Sequence, residues 1–183
     1  MNPLETLLLA RKMATGSPLL VEIPDFSPRC ATDAEFDVLV TTYYKLLYEE
    51  LSRDVAFLKS CRKMPKVKKA QRLLYVLRTA AQHSGNKDVV SEARKWRSGN
   101  SSPQSAANSL ASTMLAAFKE LASVAVYVSK SNSDSARWRK DLTVDTNIVF
   151  AGVVSDLGLC FSPNKQTRMV RLVQKRVEVQ RPR

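Results

Sequence analysis

The sequence predicts an all-α fold: a small bundle of about five or six helices with a basic C-terminal extension. Three observations carry this. Apolar residues recur at three- and four-residue steps through 33–61 and again through 105–130, and no strand alternation is joined to a hairpin signal. The 183 residues, 44% hydrophobic and 25% charged, suit one globular domain with a real core.

The N-terminus, MNPLETLLLARKM, holds a short leucine cluster preceded by Glu5 and followed by Arg11 and Lys12. A secretory signal has its basic residues first and a longer apolar stretch, so this reads as a short helix packed on the body of a cytoplasmic protein. Residues 15–31 contain Pro18, Pro24 and Pro28 and read as an extended surface segment. Thr32 or Asp33 then offers an N-cap, with Glu35 in the first turn. From there Phe36, Val40, Tyr43, Leu47, Leu51 and Leu58 mark a long amphipathic helix over 33–61.

Lys63–Met64–Pro65–Lys66 breaks that helix, and the next runs from about Lys68 to Ser84, with Gly85 as its stop. A shorter helix covers 87–97. The small, polar stretch 98–109 is a loop, and it leads into a helix over 105–130 that turns Leu110, Met114, Ala117, Leu121, Val124 and Val128 inward. Residues 129–135 form another loop. Residues 141–161 suit either a helix capped near Asp141 or β-branched strands, and the helical context favours the helix. In the tail, a helical row of Met169, Val173 and Val177 competes with a strand alternation. The expected organisation is an N-terminal helix and extended segment over 1–31, a helical bundle over 32–160, and a basic tail over 161–183.

Charge is the strongest global clue. Twenty-nine Lys and Arg against 17 Asp and Glu give a net charge of +12. Such an excess favours polyanionic partners: nucleic acid first, acidic protein surfaces second, membranes third. No uninterrupted apolar run reaches the roughly 18–20 residues that span a bilayer, so no membrane partner is expected. Cys30, Cys61 and Cys160 are odd in number and far apart, which argues against a disulfide framework, and each reads as a small core residue. One histidine and no Cys-x-x-Cys argue against a zinc site, and no cofactor is implied. A Gly-rich phosphate loop, a nucleophile elbow and a paired-carboxylate signature are likewise missing from the sequence.

At about 100° per residue the 68–84 helix sorts into two faces. Ala70, Leu73, Leu74, Leu77, Ala80 and Ala81 form the arc that should face the core. Opposite lie Gln71, Arg72, Tyr75, Arg78, Thr79, Gln82 and the sole histidine, His83. Arg78 and His83 stand about 140° apart, at opposite margins of the polar face, so a single copy makes a poor two-residue site. A two-fold partner would bring two arginines and two histidines together.

The chemistry of such a composite site is coherent. The arginine fork binds a phosphodiester and steadies charge building at phosphorus. A histidine in the last helical turn takes a proton from a ribose 2′-hydroxyl or returns one to the leaving oxygen. The reaction is internal attack by the 2′-oxygen, without metal, leaving a cyclic phosphate and a free 5′-hydroxyl.

An Arg-x4-His motif on an amphipathic helix, after a long first helix and inside a small bundle, resembles the HEPN superfamily over about residues 33–130. The matching residues are Arg78, Thr79 and His83 in RTAAQH. The resemblance implies a homodimer and a metal-independent endoribonuclease of a toxin or antiviral system, with Arg78, Thr79 and His83 catalytic and an antitoxin as a possible partner. Other members of that superfamily are non-catalytic RNA binders or scaffolds. The alternative is therefore a basic, non-enzymatic RNA-binding subunit of a ribonucleoprotein, such as a CRISPR-type small subunit.

Further RNA contacts are expected from neighbouring residues. Arg72 is placed to hold phosphate or is simply solvated, and Tyr75 is a base-stacking residue or an aromatic at the core edge. Lys66, Lys68 and Lys69 belong to the run RKMPKVKK, either a solvated loop or a backbone contact. ARKWR and ARWRK each set a tryptophan among cations: Trp96 with Arg97, and Trp138 with Arg139. That pairing either offers stacking inside a positive field or buries the ring while the charges reach water.

Overall fold

A computed structural model describes residues 2–82 and 86–143. The chain divides into two compact units, Met1–Arg139 and Lys140–Arg183. In the second unit only 140–143 are described, and they are helical. The Gly85 stop, His83, Cys160, the 144–161 stretch and the basic tail lie outside the described residues.

The first unit is all-α, with no strand among the described residues. Helix α1 (Pro3–Thr15) opens with a capping box: Asn2 Oδ1 accepts from the Leu4 N–H, and Glu5 accepts from the Asn2 N–H, both at 2.9 Å. It ends at Gly16, whose N–H still bonds the Lys12 carbonyl and whose φ of 73° turns the following chain out of the helix. Leu4, Leu7, Ala10 and Ala14 are buried, and α1 packs along α6 (Pro103–Ser129), as expected of a helix lying on the body.

The extended segment from 17 to 31 is tied to the helices along its length. The Tyr43 hydroxyl donates to the Asp25 carbonyl at 3.0 Å. The Gln104 side chain accepts from the Cys30 N–H and donates to the Pro28 carbonyl. Phe26 meets Phe118 edge-on, with ring centres 5.7 Å apart.

The long helix expected over 33–61 is present but not uniform. It consists of α2 (Asp33–Tyr44), a π-helical stretch at Lys45–Glu50, and α3 (Ser52–Cys61). Within it the Leu51 N–H bonds the Leu46 carbonyl, an i→i+5 bond of 2.9 Å. The buried row explains the widening. Tyr43, Leu47, Leu51 and Val55 follow three successive four-residue steps, each overshooting a regular turn by about 40°, and one wide turn takes up the drift.

Helix α4 (Pro65–Gln82) starts three residues earlier than the periodicity predicts. Pro65 takes the first helical position, where a missing N–H costs nothing. Glu120 of α6 caps the helix from outside, accepting the Val67 N–H at 3.0 Å. Helix α5 (Lys87–Ser98) follows, capped by Asn86. The loop expected over 98–109 shrinks to 99–102, because Ser102 caps α6 and Pro103 again occupies the first position. The loop expected over 129–135 is shorter too, with helical backbone resuming at 132.

Helix α6 is the hub, with twelve buried residues and α1, α2, α3 and α4 around it. Among the described residues it is the one helix long and apolar enough to cross a membrane, and that apolarity is what the centre of this bundle requires. The core face of α4 differs from the wheel. Val67, Ala70, Leu74, Val76 and Leu77 are buried, whereas Ala81 is exposed along a groove shared with Val90 and Ala93 of α5. Cys30 is buried as expected, but Cys61 is only partly so.

A buried polar triad closes the end of the unit. Asp54 Oδ1 accepts from Arg11 Nε and from Trp138 Nε1, each at 2.9 Å, linking α1, α3 and the helical residues after 132. Burial pushes the Asp54 carboxyl above the usual range, and Arg11 and the Trp138 N–H oppose that shift.

Candidate functional site

The outward face of α4 carries Lys68, Gln71, Arg72, Tyr75, Arg78, Thr79 and Gln82, in agreement with the wheel. Arg78 is half-buried and sits over an aromatic ring, its guanidinium carbon 4.3 Å from the centre of Tyr44. Tyr44 itself stacks on Tyr48, with centres 4.5 Å apart and planes inclined by 16°. The Tyr48 hydroxyl donates to the Gln71 carbonyl of α4 at 2.8 Å, fixing the far end of the cluster. Burial first, then the neighbouring phenols of Tyr44 and Tyr75, push the Tyr48 hydroxyl pKa upward. Lys59 reaches the same place, donating to the Gln71 side chain at 3.0 Å.

Arg72 stands beside this cluster. It is exposed, ion-paired to Glu92 of α5, and its guanidinium carbon is 5.7 Å from the centre of the Tyr75 ring. The hydrogen bond and charge of Glu92 hold its pKa above the ordinary value. Tyr75 is 40% exposed, so part of its ring is open to a ligand. Among the described residues no carboxylate lies within ion-pair distance of Arg78, in contrast to Arg11, Arg72 and Arg97. Thr79 sits next to Arg78, half-buried. Lys66, Lys68 and Lys69 are all exposed at the start of α4.

The two tryptophan motifs behave differently from stacking platforms. Trp96 is half-buried against Phe36, with ring centres 6.1 Å apart, and Arg97 lies over the same Phe36 ring while pairing with Asp33. Both residues thus join α5 to α2. Trp138 is fully buried, stacked on Phe57 at 5.5 Å and bonded to Asp54, so it presents no face to a base. Arg139 donates to the Ala14 carbonyl at 3.1 Å. Of the four residues expected to contact RNA here, Trp138 has no exposed ring face, Trp96 and Arg97 are half-buried between α5 and α2, and Arg139 stays exposed.

Sequence reasoning missed Tyr44, Tyr48 and Lys59. The signal was available: Tyr44 and Tyr48 are four residues apart on a periodic helical stretch and lie off the core row. No group of His, Cys, Asp and Glu side chains suited to a metal ion occurs among the described residues. No family model, curated protein or solved structure matches the chain.

Proposed function

We propose that this chain is a helical RNA-binding domain whose contact surface spans the end of α3, the following turn and the outward face of α4. The observation that carries the reading is electrostatic. From Val55 to Lys87 the sequence has no Asp or Glu. In that span Lys59, Arg62, Lys63, Lys66, Lys68, Lys69 and Arg72 are all exposed. The first turn of α4 carries no acidic residue of its own, and its N-terminal carboxylate is Glu120 of α6. Lys66, Lys68 and Lys69 remain exposed beside it, which supports contact with a polyanionic backbone.

Equilibrium binding of an unstructured RNA oligonucleotide tests this. Lys66→Glu with Lys69→Glu is expected to weaken binding at least tenfold, while Lys95→Glu with Lys130→Glu, on exposed positions elsewhere, leaves it nearly unchanged. Equal losses from both pairs would mean that net charge alone draws RNA.

A second reading attaches HEPN-type cleavage to the same helix, favoured by the absence of a carboxylate beside Arg78 among the described residues. A homodimer would set Arg78 and His83 of two copies around one phosphodiester, in a toxin or antiviral setting with an antitoxin or ribonucleoprotein partner. The expected result is RNA cleavage in EDTA with cyclic-phosphate ends, lost in Arg78→Ala and His83→Ala. Binding without cleavage leaves the protein an RNA-binding subunit.

A further inference from the structure

The Tyr44–Tyr48–Arg78 cluster has features that packing alone does not require. Tyr48 is held at both ends, by the stack with Tyr44 and by its hydrogen bond to Gln71. Tyr44 is thereby presented as a ring with fixed support, at the junction where the helix widens into its π-helical stretch. The group resting on it is a planar guanidinium at 4.3 Å, a separation that an aromatic base can also occupy. That guanidinium is carried on a long side chain, and no carboxylate among the described residues holds it in place.

We infer that the Tyr44 ring is a seat for one unstacked base of a single-stranded RNA, with the Arg78 guanidinium occupying that seat when RNA is absent. On binding, the base takes the place of the guanidinium over Tyr44. Arg78 swings to the flanking phosphate, where its N–H groups make charge-assisted bonds. Lys59 donates to Gln71, the residue that anchors Tyr48, and so adds positive charge on the Tyr48 side of the cluster. This deepens the RNA-binding reading and rests on it. It specifies single strands, because lifting a base out of a duplex onto Tyr44 first costs its pairing and stacking.

The test uses the full chain and a short unstructured RNA carrying 2-aminopurine at one position, whose fluorescence falls when the base stacks. A fully paired duplex of equal length serves as the comparison. Binding of the single strand is expected to quench the probe and to be at least tenfold tighter than duplex binding. Tyr44→Phe should keep both properties. Tyr44→Leu should lose the quench and about tenfold in affinity for the single strand, without changing the duplex affinity. Arg78→Ala vacates the seat, so it should keep the quench while weakening binding through the lost phosphate contact.

A quench that persists in Tyr44→Leu places the base elsewhere and overturns the assignment. So does equal, unquenched binding of single strand and duplex, which leaves the electrostatic surface standing as a phosphate binder. Failure of the wild-type protein to bind either RNA overturns the RNA-binding reading and this one together. Circular dichroism of each variant establishes that a lost signal is not lost fold.

Discussion

The guanidinium carbon of Arg78 lies 4.3 Å from the centre of the Tyr44 ring, joining α4 to the helix that carries the π-helical stretch. This contact places a cation with no carboxylate partner among the described residues on a tyrosine pair. Arg72 and Arg97 are also set near aromatic rings, yet each is ion-paired, to Glu92 and Asp33. Arg78 thus bridges two helices through a ring contact alone, whereas Arg72 and Arg97 bridge theirs through carboxylates.

The Asp54 triad is the most vulnerable polar element of the fold. Asp54→Ala leaves the Arg11 guanidinium buried without its carboxylate and removes the acceptor for Trp138. Denaturant unfolding should register a loss of about 3–5 kcal/mol. Trp138→Phe keeps the stack on Phe57 but removes one hydrogen bond, with an expected loss of about 1–3 kcal/mol.

Two tyrosines should titrate late in an alkaline absorbance titration. Burial raises the hydroxyl pKa of both Tyr43 and Tyr48 in the folded state. The folded chain therefore keeps protons that the unfolded chain loses near pH 10. Their contribution to stability is fully present below about pH 10 and is lost as pH rises through the folded-state values. Tyr48→Phe should remove one late step and weaken the tie to the Gln71 carbonyl.

Trp96 gives a control for RNA binding. Trp96→Ala removes a half-buried ring packed on Phe36 and should cost about 2–4 kcal/mol of stability, towards the lower part of the range for buried aromatics. RNA affinity, measured at a temperature where the variant is fully folded, should stay within twofold of wild type.

Much of the fold was legible in the sequence, since periodic apolar rows and caps act locally. The row from Phe36 to Leu58 and the core-facing row from Leu110 to Val128 both lie where periodicity sets them. Pro65 and Pro103 were harder, because a proline that breaks one helix is equally suited to start the next. ARKWR and ARWRK illustrate what local pattern cannot decide. Near-identical pentapeptides put Trp96 half-buried on Phe36 and Trp138 wholly inside against Asp54, a difference set by partners distant in sequence. The polar face of α4 was legible from its wheel, but its tyrosine neighbours belong to another helix and became adjacent only on packing.

The most direct test of the RNA-binding surface is the salt dependence of binding to an unstructured RNA, compared between wild type and Lys66→Gln/Lys68→Gln/Lys69→Gln. Each phosphate contact on a single strand contributes about −0.7 to the slope of log K against log salt. The triple variant should bind more weakly and show a slope shallower by about 2. An unchanged slope and affinity would contradict the proposed surface.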